Sequence, residues 1–344
     1  MIKVKLYELD KHRNECTFRP YIWAHNVLKD VGIEFTRGDS YDYAWVAQAS
    51  FLNKKVSLQE SVDNGLEFLS EITGDYMLID GQDSTSLMGS YEVFKDSNAL
   101  LLLKNSLLKD RTLYKSGLQL GRSYWGPGEY KLNDFDQYND RILLSGTNWI
   151  ATHWAGVNVQ WYDYSRTKEY DISAMFQYPT LSKNYEHGHL QSHFYDEHRK
   201  PVLDVLNKLD SSIKIARLQN GQRVSAEEYY KRMSSARILL APFGYGEMAP
   251  RDLQAAQFGA VLVKPDMSYI DTCLNPFVDG ETYIACNHDY SDLQEKVEDI
   301  LGNYDKYQYI IENARKKFLE LYRPENIALH VYDIFKNLNG VTTN

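Results

Sequence analysis

Short apolar runs of strand length, separated by stretches with helical spacing, restrict this chain more than any other feature. Ile2 to Leu9 alternates apolar and polar residues and predicts a strand. A polar loop is expected from Asp10 to Arg19, with Pro20 opening a helix that ends near Gly32. Ile33 to Thr36 and Tyr43 to Ala47 read as strands. Ser57, with Glu60 three residues on, is a capping-box start for a helix to Thr73, stopped by Gly74. Tyr76 to Ile79 is a buried strand, Ser86 to Lys95 a helix, and Ala99 to Lys104 another strand. Strand, helix, strand in repeated order requires an α/β layer with a mainly parallel sheet.

From Lys109 to Asp140 the pattern dissolves into Gly, Tyr, Asp and Asn, as long functional loops do. Arg141 to Ser145 looks like one more strand, and Trp149 to Lys168 has no clear period and marks a domain boundary. The alternation then restarts. Strands are expected at Tyr170 to Phe176, Ile213 to Leu218, Arg237 to Pro242 and Ala260 to Val263. Helices are expected at Tyr195 to Leu209, Ala226 to Ser234 (capped by Ser225), Pro250 to Phe258, Asp292 to Leu301, Tyr307 to Leu321 and Pro324 to Asn337. The expected layout is two α/β domains of similar size, residues 1–165 and 166–325, joined once, with a terminal helical segment 326–344. Ligands in such folds bind at the carboxyl ends of the strands, here in a cleft between the domains.

The balance of 38 basic against 47 acidic residues leaves a net charge of −9, which disfavours nucleic acid or anionic lipid as the main partner. Cys16, Cys273 and Cys286 are odd in number and far apart, so neither a disulfide framework nor a structural zinc site is expected and a reducing compartment fits. The first residues reach charge within three positions, unlike a signal peptide, and no apolar run approaches the ~20 residues of a membrane span. A soluble, cytoplasmic protein is expected. The 27 tyrosines suit wet, partly apolar surfaces such as sugar sites, and serve equally as core and surface filler.

The stretch from Ser234 to Asp266 carries the chemistry. It reads as a buried strand, a glycine-bearing turn (Gly244, Tyr245, Gly246, Glu247), a helix from Pro250, and a second apolar strand after Gly259. Glycines let a backbone approach a ligand closely, and the helix N-terminus favours phosphate. Arg251, in the first turn, adds a forked cation suited to a pyrophosphate. An ordinary β–loop–α turn with a solvated arginine would leave the same trace.

This stretch resembles the nucleotide-sugar-binding segment of GT-B fold glycosyltransferases of the bacterial and viral type. The matching residues are Pro242 to Glu247, Arg251 to Ala255 and Gly259 to Asp266, followed by Gly280-Glu281-Thr282-Tyr283, Asp289 to Leu293 and Ala314-Arg315. The likeness covers about residues 170 to 335, with Asp80 to Asp83 and Lys104 adding modest support from the first half. It implies a GT-B fold, two Rossmann-like α/β domains with a central cleft, and a final helix that packs back on the N-terminal domain. It also implies a UDP or GDP sugar donor held by Gly244, Tyr245, Gly246, Glu247, Arg251 and residue 254, with Lys183 and Arg217 as further donor contacts. The acceptor would be a glycan, glycoprotein, glycolipid or other hydroxyl compound. Where the family has a glutamate that meets the donor ribose, this chain has Gln254, which can hydrogen-bond but carries no charge.

Other candidates compete. His187, His189, His193 and His198 crowd one loop, which admits loop filler, phosphate contact or a metal; Lys183 and Arg199 flank them. For a general base, Asp10 and His12 follow the first strand, Asp80 and Asp83 end another at the same sheet edge, and His153 comes next. Asp134 and Asp136 form an Asp-x-Asp triplet in an irregular loop rather than after a strand, so no metal or other cofactor is expected. The function expected is sugar transfer without a metal. A non-catalytic nucleotide- or glycan-binding protein on the same scaffold remains open. So does a two-domain NAD-dependent oxidoreductase, although no strand here is followed by GxGxxG.

Overall fold

The computed structural model describes residues 1–7, 11–53, 56–116, 131–156, 159–163, 167–176, 198–219, 222–244 and 246–341, without the side chains of residues 11–16 and 339–341. In chain order its strands are β1 Ile2–Tyr7, β2 Ile33–Thr36, β3 Tyr43–Ala47, β4 Tyr76–Asp80, β5 Leu102–Lys104, β6 Leu107–Leu108, β7 Ile142–Leu144, β8 Tyr170–Ala174, β9 Ile215–Arg217, β10 Ala236–Leu240, β11 Val261–Pro265, β12 Ile270–Asp271 and β13 Ile284–Cys286. They build two compact units, each with its own parallel sheet and flanking helices, which is the α/β class expected from the alternation.

The first unit comprises residues 1–157, 269–275 and 321–344. Its six strands lie in the order β2-β1-β3-β4-β5-β7, all parallel. The chain leaves β1 to one side for β2 and returns on the other side as β3, so a topological switch point lies between β1 and β3. The polar loop expected over Asp10 to Arg19 is instead most of a helix, Lys11–Trp23, with Pro20 inside it. Phe18, Tyr21, Ala24 and Leu28 are fully buried at helical spacing, and this apolar stripe outweighs the run of charges. The helix Pro324–Val341 belongs to this unit: Ile327, Val331, Ile334 and Phe335 enter the core, and Phe335 stacks on Trp45 at 5.9 Å between ring centroids. The chain also returns for β12, which pairs antiparallel with β6, so the units are joined by several chain passages rather than one.

The second unit comprises residues 158–268 and 276–320. Its sheet order is β13-β11-β10-β8-β9, again all parallel, with the switch point between β8 and β10. Ile172, Ile238, Leu240, Val261 and Val263 form the sheet's contribution to one core cluster, covered by Val202, Leu206, Val297 and Ile300 from helices. Such near-continuous apolar strands are what a sheet covered on both faces demands. Ser225 caps the helix Ala226–Ser234 by accepting from the Glu228 N–H at 3.1 Å. Among the described residues no helix is long and apolar enough to cross a membrane.

Candidate functional site

At the switch point of the second unit, the segments after β8 and β10 supply a cation, an imidazole and a glycine turn, and the segment after β13 adds a second imidazole. Arg199, almost fully buried, lies 5.9 Å from the Phe176 ring centroid. It also packs on Gly244, where an added Cβ would come 3.4 Å from the Arg199 Nη2. The guanidinium thus lies close against the turn, in which the Gly244 N–H donates to the Gly246 carbonyl at 3.1 Å. His198 faces the Phe243 ring at 5.3 Å and reaches the Tyr290 hydroxyl through Nδ1 at 3.3 Å. His288 lies 5.8 Å from the same Phe243 ring. Burial pushes the His288 pKa below its ordinary value, against the pull of Asp266 and Asp289, so this ring is neutral near pH 7.

The helix Pro250–Phe258 follows the turn. Pro250 at its start has no N–H to leave unsatisfied, and Asp252 Oδ2 reaches back to accept from the Ala249 N–H at 2.8 Å. Lys264 on β11 is fully buried and donates to that same Oδ2 at 2.8 Å and to the Glu247 carbonyl at 2.8 Å. Its ammonium also lies 4.4 Å from the Phe277 ring. Burial lowers the Lys264 pKa, Asp252 and Glu247 oppose that, and Arg251 is close enough to add to it. Arg251 itself keeps a buried Nε without a hydrogen-bond partner among the described residues. At the far end of the helix Gly259 adopts φ +69°, Arg315 donates to the carbonyls of Ala256 and Gln257, and Lys168 donates to that of Phe258. These donors satisfy the terminal carbonyls and fix the helix axis.

The sequence candidates fare differently. Gly244, Gly246, Glu247, Arg251 and Gln254 fall in the turn and helix just described. The Glu247 side chain is buried, and Gln254 is buried with its Oε1 accepting from the Tyr229 hydroxyl at 3.4 Å. Arg217, at the end of edge strand β9, instead donates to Asn207 Oδ1 at 2.8 Å. Tyr245, Lys183, His187, His189, His193 and Asp10 lie outside the described residues, and His12 is in the helix Lys11–Trp23 at a position whose side chain is not described.

In the first unit Asp80 is wholly buried. It is paired with Lys104 at 3.2 Å, accepts from the Ser90 hydroxyl at 2.6 Å, and accepts from the Gln82 N–H at 3.0 Å. Its two oxygens are thus occupied by the fold, which revises the expectation that it serves as a base. Asp83 is only partly buried, and its charge acts on His153. His153 bonds through Nδ1 to the Trp149 carbonyl at 3.0 Å, and a carbonyl can only accept, so the Nδ1 proton donates. That tautomer leaves Nε2 with the basic lone pair. Burial lowers the His153 pKa below the ordinary imidazole value, so the ring is neutral near pH 7. Arg19 donates to the His153 carbonyl at 2.9 Å and fixes the end of this short helix, Trp149–Trp154. Asp134 pairs with Lys95 at 3.3 Å and Asp136 with Lys115 at 2.7 Å, so each acid of the triplet turns to its own lysine. Among the described residues no three His, Cys, Asp or Glu side chains converge as a metal site would need.

No family model matches the chain, and no curated protein is similar to it in sequence. Solved structures are similar to it at low identity. HepE of Anabaena, in complex with UDP-glucose, is 10% identical with a TM-score of 0.49, covering 98% of this chain and 99% of that one. TarM is 9% identical with a TM-score of 0.48 over 86% of this chain; this chain spans 54% of TarM. T4 phage BGT, in complex with UDP and Mn2+, is 10% identical with a TM-score of 0.45 over 98% of this chain and 99% of that one.

Lys264 lay within the matched stretch Gly259 to Asp266, as the charged residue in the apolar run Val261-Leu-Val-Lys-Pro, but its partners were not legible in the sequence. His288 had no signal, because only the return of β13 beside β11 brings the residues after it to this sheet edge.

Proposed function

We propose that this protein is a glycosyltransferase that takes a sugar from a nucleotide-sugar donor to a hydroxyl acceptor. The second unit holds the donor and the reaction needs no metal. The observation that carries the reading is the cationic turn at the switch point of that unit. There Arg199 lies on Gly244, and the helix behind the turn opens with Arg251, whose Nε has no hydrogen-bond partner among the described residues. Backbone N–H groups, a helix N-terminus and two guanidinium groups at the carboxyl ends of parallel strands are the chemistry that binds a diphosphate. His198 and His288, which are partly buried and packed beside the buried Phe243 ring, offer flat ring surfaces suited to a base or sugar ring. As the bond to the leaving diphosphate breaks, charge grows on its oxygens, and fixed cations stabilise that charge without a metal.

For the acceptor, the first unit offers His153 and Asp83. A neutral imidazole whose Nε2 carries the lone pair can take a proton from a hydroxyl, and Asp83 stabilises the imidazolium that results. Asp10 and His12 are the other proposed sources of the base. A second reading, a non-catalytic binder of nucleotides or glycans, draws on Gln254, which is uncharged and already bonded to Tyr229.

The deciding experiment is Arg251→Ala measured by calorimetry with UDP and GDP. Losing one charge-assisted contact costs about 1.5–3 kcal/mol, roughly ten- to a hundredfold in affinity. Unchanged affinity in a folded variant removes Arg251 from the site. Transfer that persists in a chelator supports the metal-free reading, and loss of transfer restored by manganese ends it. Donor binding without transfer or donor hydrolysis selects the binder.

A further inference from the structure

We infer that Lys264 is a positioning residue for this donor site: its buried ammonium sets the path of the backbone from Glu247 to Arg251. This deepens the reading above and rests on it for the donor, but the bracing itself is a property of the free protein. The ammonium ties two separate elements. One hydrogen bond, 2.8 Å, goes to the carbonyl of Glu247 in the turn, and the other, 2.8 Å, to Asp252 in the first turn of the helix. Asp252 in turn holds the Ala249 N–H at 2.8 Å. The chain from Glu247 to Asp252 is therefore gripped at its beginning, middle and end by one charge cluster. Arg251 is the residue before Asp252, and its buried Nε has no hydrogen-bond partner among the described residues. Both partners of the brace are themselves buried, Lys264 and Asp252 at 1% exposure each, so water cannot substitute for the ammonium. The Phe277 ring at 4.4 Å and the Phe243 ring at 5.7 Å lie over the same charge.

Removing Lys264 alone strands a buried carboxylate and destabilises the unit whatever the lysine does. The informative variant is Lys264→Met with Asp252→Asn, in which the amide still accepts from Ala249 and no lone charge remains. Its control is Asp252→Asn alone, which keeps the ammonium on the Glu247 carbonyl. Hydrogen exchange is followed across residues 246–252, with nucleotide affinity measured on the same samples. The double variant should exchange about tenfold faster in that segment and bind UDP about tenfold more weakly, while its unfolding midpoint is no lower than that of the control, which keeps a lone buried ammonium. Unchanged exchange in the folded double variant overturns the inference. If the double variant does not fold, the wild-type protein decides. The Ala249 amide should then exchange only with global unfolding, and fast local exchange there overturns the brace. A wild-type protein that binds neither UDP nor GDP removes the donor reading, and the exchange result still judges the brace.

Discussion

Lys104 in the first unit and Lys264 in the second each close an apolar strand run, and each ammonium donates to a carbonyl in the loop that follows the neighbouring strand. Lys104 holds the Ser84 carbonyl at 2.5 Å, and Lys264 holds that of Glu247 at 2.8 Å. The difference lies in the carboxylate. Asp80 ends β4 and is the register partner of Lys104 on β5, so the first pair is a feature of the sheet with a loop hung from it. Asp252 sits in a helix, so the second pair ties a loop to a separate element. A sheet-borne pair fixes only the loop that carries Asp83. A helix-borne pair also fixes the residue that the helix presents, Arg251.

The largest expected effect separates the two loops by function. His153→Asn should cost roughly 10²–10⁴ in transfer rate while nucleotide affinity is kept, the reverse of Arg251→Ala. Asp83→Asn should follow the same pattern with a smaller loss. If single-turnover kinetics show near-normal rates for both, the proposed base passes to Asp10 or His12, or the proposed reaction retains configuration and uses none.

Next comes the sheet-borne pair. Lys104→Met leaves Asp80 as a lone buried charge and should cost about 3–5 kcal/mol of global stability in chemical denaturation. Lys104→Met with Asp80→Leu should recover most of that loss. Failure to recover would mean that the Ser84 contact, rather than the pair, carries the stability, and the parallel with Lys264 would be tighter than drawn. Ser90→Ala removes the hydroxyl that donates to Asp80 and accepts from Gln48, and should cost about 1.5–3 kcal/mol. An effect on nucleotide affinity from any of these three would contradict a role confined to the first unit.

The smallest effect is on pH dependence. Burial lowers the folded-state pKa of His153, His288 and His330, so at a given acid pH the unfolded chain binds more protons than the folded one. Stability is therefore full above the ordinary imidazole value and is lost as pH falls through the lowered folded values. Thermal midpoints measured from pH 7 downward should fall, and His330→Asn, remote from both proposed sites in role, should flatten the curve slightly. A midpoint that rises on acidification would contradict the burial of these rings.

Much of the scaffold was legible in the chain. The helices Ala226–Ser234 and Pro250–Phe258 and the strands Ile33–Thr36 and Tyr43–Ala47 have the bounds that caps, prolines and apolar runs imply. Caps and periodicity are local, acting within one turn or one strand, so a sequence can declare them. The turn at Gly244 and Arg251 was legible for the same reason, since glycine and a helix start act on their own neighbours. Long-range burial was not. Phe18 and Tyr21 convert a charged stretch into helix only because a core receives them. Asp80 looks like a free carboxylate at a strand end until its register with Lys104 is known. The segment at β12 and the helix Pro324–Val341 join the first unit through pairings more than a hundred residues away in sequence. Local chemistry fixed the elements and the glycine turn. Which charges are neutralised, which imidazole is held in one tautomer and which loop is braced were decided by contacts that exist only once distant strands lie side by side.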